Sequence, residues 1–110
     1  MICPVCKQDM LVVEHQNIEL DYCASCHGVW FDSGELELLL QCHGFEEAAV
    51  FLAGILAKPV ATGEKPRKCP ICSRKMAKAS VGETIIDACS RGEGLWFDGG
   101  ELTQTVKHLA

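Results

Sequence analysis

The chain has 110 residues, 48% of them hydrophobic, a net charge of −5 and eight cysteines. No apolar run reaches the roughly twenty residues that a membrane-spanning helix needs, so no membrane partner is expected. The charge is uneven: residues 1–58 carry two basic and nine acidic residues, and residues 59–110 carry eight basic and six acidic. The acidic first half repels phosphate and is a poor surface for nucleic acid.

The chain opens on Cys3-Pro4-Val5-Cys6. With Cys3 two residues after Met1, no signal peptide is expected. The expected compartment is the cytoplasm, where thiols stay reduced and paired Cys-x-x-Cys motifs favour metal over disulfides. Met10–His15 and Ile18–Tyr22 are apolar and β-branched around Gln16-Asn17, which predicts a hairpin. Cys23-Ala24-Ser25-Cys26 follows. Asp32 with Glu35 three residues on predicts an N-cap and capping box, opening a helix over Ser33–Gln41. Phe45–Lys58 predicts a second helix: it is acidic at its start, stopped by Pro59, and apolar on every side from Ala48 to Ala57. A helix apolar all round must be covered all round. It is therefore expected to pack between the two copies, either shared by them alone within one chain or covered also by a partner, most simply a second copy in a homodimer. Ala61–Pro66 reads as a linker. Beyond it come Cys69-Pro70-Ile71-Cys72, a hairpin over Met76–Ser80 and Thr84–Ala88 with Gly82 at its turn, then Cys89, Asp98, Glu101 and a helix over Gly99–Lys107.

The second half repeats the first at an interval of 66 residues without insertion or deletion. Cys3, Cys6 and Cys23 return as Cys69, Cys72 and Cys89, and Trp30-Phe31-Asp32 as Trp96-Phe97-Asp98; Cys26 alone fails to return, its counterpart being Gly92. Such a repeat marks two copies of one small module. Units of about 40 residues seldom fold without a metal or disulfides. Cys3, Cys6, Cys23 and Cys26 have the spacing by which two knuckles offer four thiolates to one zinc ion, iron being the main rival. A closed set of this kind is structural and can supply on the order of 10–16 kcal/mol of folding energy. Cys69, Cys72 and Cys89 form a second set lacking one ligand. Glu93, His108, Cys42, water or nothing could stand fourth. The two tryptophans are expected to pack over the knuckles, with stacking on a nucleic-acid base as the functional alternative.

These residues resemble a known family. Cys3-Pro4-Val5-Cys6 followed by Asp21-Tyr22-Cys23-Ala24-Ser25-Cys26-His27-Gly28-Val29-Trp30-Phe31-Asp32-Ser33-Gly34-Glu35-Leu36 is similar to the bacterial zinc fingers named after the zinc ribbon of transcription factor IIB. The second copy matches from Cys69 to Leu102 and departs at Gly92. The resemblance implies a rubredoxin-like zinc-ribbon fold with structural zinc, and implies little about activity.

The expected architecture is a small metal-stabilised α+β protein of two rubredoxin-like ribbons joined by a central apolar helix. Residues 1–43 would be the first ribbon, 44–58 the helix, 59–66 the linker and 67–110 the second ribbon. The expected function is a zinc-binding, non-enzymatic protein-interaction module, with a link to transcription. One alternative is nucleic-acid binding through the basic group Arg67, Lys68, Arg74, Lys75 and Lys78 of the second copy. Another is an enzyme or redox sensor built on the incomplete second site.

Overall fold

The computed structural model describes residues 1–15, 18–42, 44, 46–57, 60, 63, 66–102, 104 and 105. The turn at Gln16-Asn17, the end of the second copy's helix and His108 lie outside them.

Each copy contributes three antiparallel strands. In the first, β1 (Leu11–His15) pairs with β2 (Ile18–Tyr22), and β2 with β3 (Val29–Asp32). Helices α1 (Glu35–Cys42) and α2 (Glu46–Leu56) follow. The second copy supplies β4 (Ala77–Val81), β5 (Thr84–Ala88) and β6 (Gly94–Phe97). Gly82 opens the two-residue turn between β4 and β5 at φ +63°, a conformation that glycine adopts without steric cost. The hairpins lie where the β-branched and apolar runs predict them. The third strand of each copy carries the repeated Trp-Phe pair.

Those third strands decide the architecture. β3 pairs with β6, so the two ribbons merge into one six-stranded antiparallel sheet in the order β1-β2-β3-β6-β5-β4. The register sets Trp30 opposite Trp96, its own counterpart, with Val29 opposite Phe97 and Phe31 opposite Leu95. The copies are thus related by an approximate twofold axis through the tryptophan pair. The copies thus meet directly through the sheet, in addition to the central helix, which touches α1 of the first copy and β4 of the second. A lone β3 would leave a row of backbone groups unpaired at its edge, and the equivalent edge of β6 satisfies them directly.

Alternation along the strands then builds two layers. Phe31, Phe97, Val81, Ile86 and Leu95 point to one face, where Leu36 and Leu40 of α1 and Leu52 of α2 close a core. Leu36 and Leu40 are four residues apart and share one face of the helix. Phe31 and Phe97 meet edge to face, with ring centroids 5.8 Å apart. α2 lies against α1 and β4 on this face, where Leu52 is fully buried while Val50 remains exposed. The opposite face carries Trp30, Trp96, Met10, Met76 and the knuckle cysteines of both copies in a single cluster.

Candidate metal centre

The knuckles are built by local backbone rules. In the first, the Cys3 N–H donates to the Gln8 carbonyl (2.8 Å), the Lys7 N–H to the Cys3 carbonyl (3.1 Å) and the Val5 N–H to the Cys3 sulfur (3.4 Å). The second copy reproduces all three bonds, from Cys69 to Arg74 (2.8 Å), from Ser73 to Cys69 (2.9 Å) and from Ile71 to the Cys69 sulfur (3.4 Å). Lys7, Ser73 and His27, each following a cysteine, take φ values of 63–65° to close their turns. The Tyr22 hydroxyl is 2.6 Å from Nδ1 of His27 and fixes that ring beside the knuckle. In the first copy the Cys23 carbonyl accepts from the His27 N–H (2.8 Å), four residues on; in the second, the Cys89 carbonyl accepts from the Gly92 N–H (3.0 Å), three residues on. The fourth knuckle therefore closes one residue early, with Gly92 itself at φ +76°.

Cys3, Cys6, Cys23 and Cys26 bring their sulfur atoms within 4.8 Å of one another, and so do Cys69, Cys72 and Cys89. Individual separations are 3.5 Å for Cys3 to Cys26, 3.3 Å for Cys6 to Cys23 and 3.6 Å for Cys72 to Cys89. A tetrahedron with zinc–sulfur bonds of about 2.3 Å has edges of about 3.8 Å. Both clusters therefore fit zinc, the first with four donors and the second with three. Cys3, Cys23, Cys69 and Cys89 are buried, the other three half-buried.

The thiols are not equivalent. The Cys26 backbone amide, reinforced by the neighbouring thiols, holds Cys23 down at about 6 against the opposing effect of burial. Burial pushes Cys26 up to about 12 and Cys69 up to about 11. A backbone hydrogen bond to Arg74 lowers Cys72.

Between the clusters sit the tryptophans, both fully buried. No face is left for a nucleic-acid base, so the stacking alternative fails. Each indole N–H donates to the carboxylate two residues on: Trp30 to Asp32 (3.0 Å) and Trp96 to Asp98 (2.9 Å). The returning half of each capping box is also formed, from the Asp32 N–H to Glu35 (3.0 Å) and from the Asp98 N–H to Glu101 (2.9 Å). The aspartates thus tie ring, strand end and helix start together, a role that capping alone does not reveal.

Two glycines unnoticed in the sequence matter as much. A Cβ on Gly28 would collide with the Trp96 ring. One on Gly94 would lie 2.6 Å from Cζ2 of Trp30 and strike the Phe31 carbonyl. Each copy's glycine makes room for the other copy's indole. Their identical place in the repeat was the available signal.

The remaining candidates for a fourth ligand do not join the second cluster among the described residues. Cys42 is exposed at the end of α1. Glu93 is near enough for its charge to act on Cys72, but its carboxylate is not grouped with the three sulfur atoms. The basic group is also thinner than its sequence suggests. Arg67 pairs with Asp98 (3.3 Å) and Lys78 with the buried Asp87.

Thiol clusters presented by paired knuckles at the end of a three-stranded antiparallel sheet define a zinc-ribbon protein, here with two ribbons. A family described as transcription factor zinc-finger matches residues 2–42 and again 68–108, and the chain belongs to that family. No curated protein and no solved structure gives a significant match. No described helix is long and apolar enough to cross a membrane.

Proposed function

We propose that the chain is a non-enzymatic, zinc-stabilised interaction module whose partner is a protein. Four thiolates close the first zinc site and leave no position for a substrate. The observation that carries the reading is the state of β1. Leu11, Val12 and Val13 are 57%, 67% and 41% exposed on a strand at the end of the sheet. β4, the equivalent strand of the second copy, is covered by α2 and has Ala77, Lys78 and Ala79 at the matching positions. A strand at the end of the sheet, paired on one side only among the described strands and exposing apolar side chains, is the feature to which another chain adds a strand.

Much of α2 is already committed. Leu52, Ile55 and Leu56 pack into the chain's own core, and β1 carries three neighbouring exposed apolar side chains. The family's description makes the transcription apparatus the first place to seek that partner, and the simplest partner to test is a second copy of the chain. Val12→Lys places a charge on the edge without touching the core. Sedimentation should show a concentration-dependent dimer that Val12→Lys abolishes. A strict monomer whose β1 amides exchange no more slowly in cell extract than in buffer would remove the basis for the reading.

A further inference from the structure

The pairing of β3 with β6 brings the first knuckle beside the segment that leads into the second. A cleft of about 340 Å³ opens between them, lined by Pro4, Val5 and Lys7 from one copy and by Pro66, Arg67 and Lys68 from the other. Both copies contribute, and neither would form the cleft alone. Three of these six residues are cations, and the lining holds no carboxylate among the described residues. Lys7 takes φ +65° to close its knuckle, and its ammonium donates to the Pro4 carbonyl (3.3 Å). Arg67 gives one N–H to Asp98 (3.3 Å), which the Trp96 indole and the capping box hold in place; its other guanidinium donors make no bond among the described residues. Lys68 is exposed and stands opposite Lys75 in an isolated antiparallel bridge. Like charges placed directly opposite cost stability. The equivalent bridge of the first copy joins Ile2 to Asp9 and carries no such repulsion.

We propose that this cleft binds a short acidic segment of a partner protein, whose carboxylates sit among Lys7, Arg67 and Lys68. Arg67 offers a planar fork that matches a carboxylate, and the two lysines, one from each copy, add point charges. An anion there offsets the repulsion between Lys68 and Lys75. Pro4, Val5 and Pro66 make the rest of the wall apolar, Val5 being 38% exposed. Such a wall suits the aliphatic stem of a glutamate better than a bare phosphate. The surroundings restrict the ligand to something short. Residues 1–58 carry nine acidic residues against two basic ones, of which Lys7 is one, and four thiolates around a divalent ion at the first cluster add net negative charge. A long polyanion such as a nucleic acid would run from the cleft into that field, whereas a peptide with a few carboxylates need not. The cleft and the β1 edge share no residue, so either reading can fail alone.

The test uses the zinc-loaded full chain and fluorescein-labelled hexaglutamate, read by fluorescence anisotropy at low salt. Binding is expected, and it should weaken as salt is added. Lys7→Gln and Lys68→Gln should each weaken it about threefold and the double variant about tenfold, with zinc content unchanged. Arg91→Gln removes the same charge outside the cleft and should leave binding unaltered. Absence of binding at low salt would overturn the proposal. So would an equal loss in Arg91→Gln, the mark of diffuse attraction. A loss confined to Lys68→Gln would place the site on the second copy alone and equally overturn it. Labelled hexathymidylate binding more tightly than the peptide would assign the cleft to nucleic acid instead. Sedimentation of the chain alone covers the remaining occupant: a dimer that Lys7→Gln disperses would show that the cleft is filled by a second copy, and the proposal of a separate partner would fall.

Discussion

At the level of single residues, the uneven thiols predict how zinc enters. Cys26 and Cys69 hold their protons far above neutrality in the metal-free fold, because burial disfavours the thiolate. Zinc must displace those protons, so its affinity should rise with pH and fall in acid. Calorimetric titration in two buffers of different ionisation enthalpy should show net proton release at pH 7 that diminishes towards alkaline pH. A second prediction concerns Asp21 and Asp87, equivalent residues opposite Trp30 and Trp96. Burial raises both carboxyl groups, but Lys78 opposes the shift at Asp87, while the matching neighbour of Asp21 is Val12. A raised carboxyl binds its proton more tightly folded than unfolded, so its charge costs stability as pH climbs through the window above 3.8. Val12→Lys should supply the missing cation and add about 0.5–1 kcal/mol at pH 7, a gain that shrinks as acid protonates Asp21. Thermal melting of the zinc-loaded protein across pH would measure it. The same variant that disables the exposed edge should therefore leave the fold intact.

The elements themselves were largely legible. Runs of β-branched and apolar residues marked both hairpins, and the Asp-x-x-Glu pair marked the start of α1. What escaped was the pairing of β3 with β6, because a four-residue strand carries too little alternation to announce itself and its partner lies in the other copy. The evidence lay instead in Gly28 and Gly94, whose missing side chains have meaning only once a tryptophan from across the axis fills the space. Gly28→Ala should destabilise the protein by about 1–3 kcal/mol through overpacking. Trp96→Phe, with a smaller ring, should recover part of that loss in the double variant; additive losses in chemical denaturation would show that the ring and the glycine do not meet. The metal clusters were legible for the opposite reason. Cys-x-x-Cys spacing is local, and it survives whatever the rest of the chain does.

For the whole molecule, one sheet built from two ribbons means that neither ribbon is complete alone. Residues 1–43 cut from the chain would keep their four thiols but expose the edge of β3, with Trp30 and Phe31 stripped of the Trp96 and Phe97 that pack beside them. That fragment should bind one zinc and then associate, most simply by pairing β3 with β3 of another copy about the same axis. Light scattering of the zinc-loaded fragment checks this, and a stable monomer would contradict it. In the intact chain, a chelator should collapse the clustered face, and zinc should restore it, because both thiol groups and both tryptophans form a single packed layer. The division of the sequence at the central helix concealed this unity. A repeat reveals how many units there are, but not whether they touch.

The early closure at Gly92 bears on what it would take to make the two sites alike. Had the copies differed only in a side chain, one substitution could restore the lost thiol. The backbone has moved as well: a cysteine at position 92 would inherit φ +76°, a left-handed conformation costing an ordinary residue about 1–2 kcal/mol. To regain the geometry of Cys26 the turn must lengthen by one residue, Glu93 must take up the positive φ that His27 holds, and Ser33 must yield the space that Gly99 leaves free on the other side. The difference between the two sites thus lies in the backbone as well as in one side chain, and several changes must be made together to remove it.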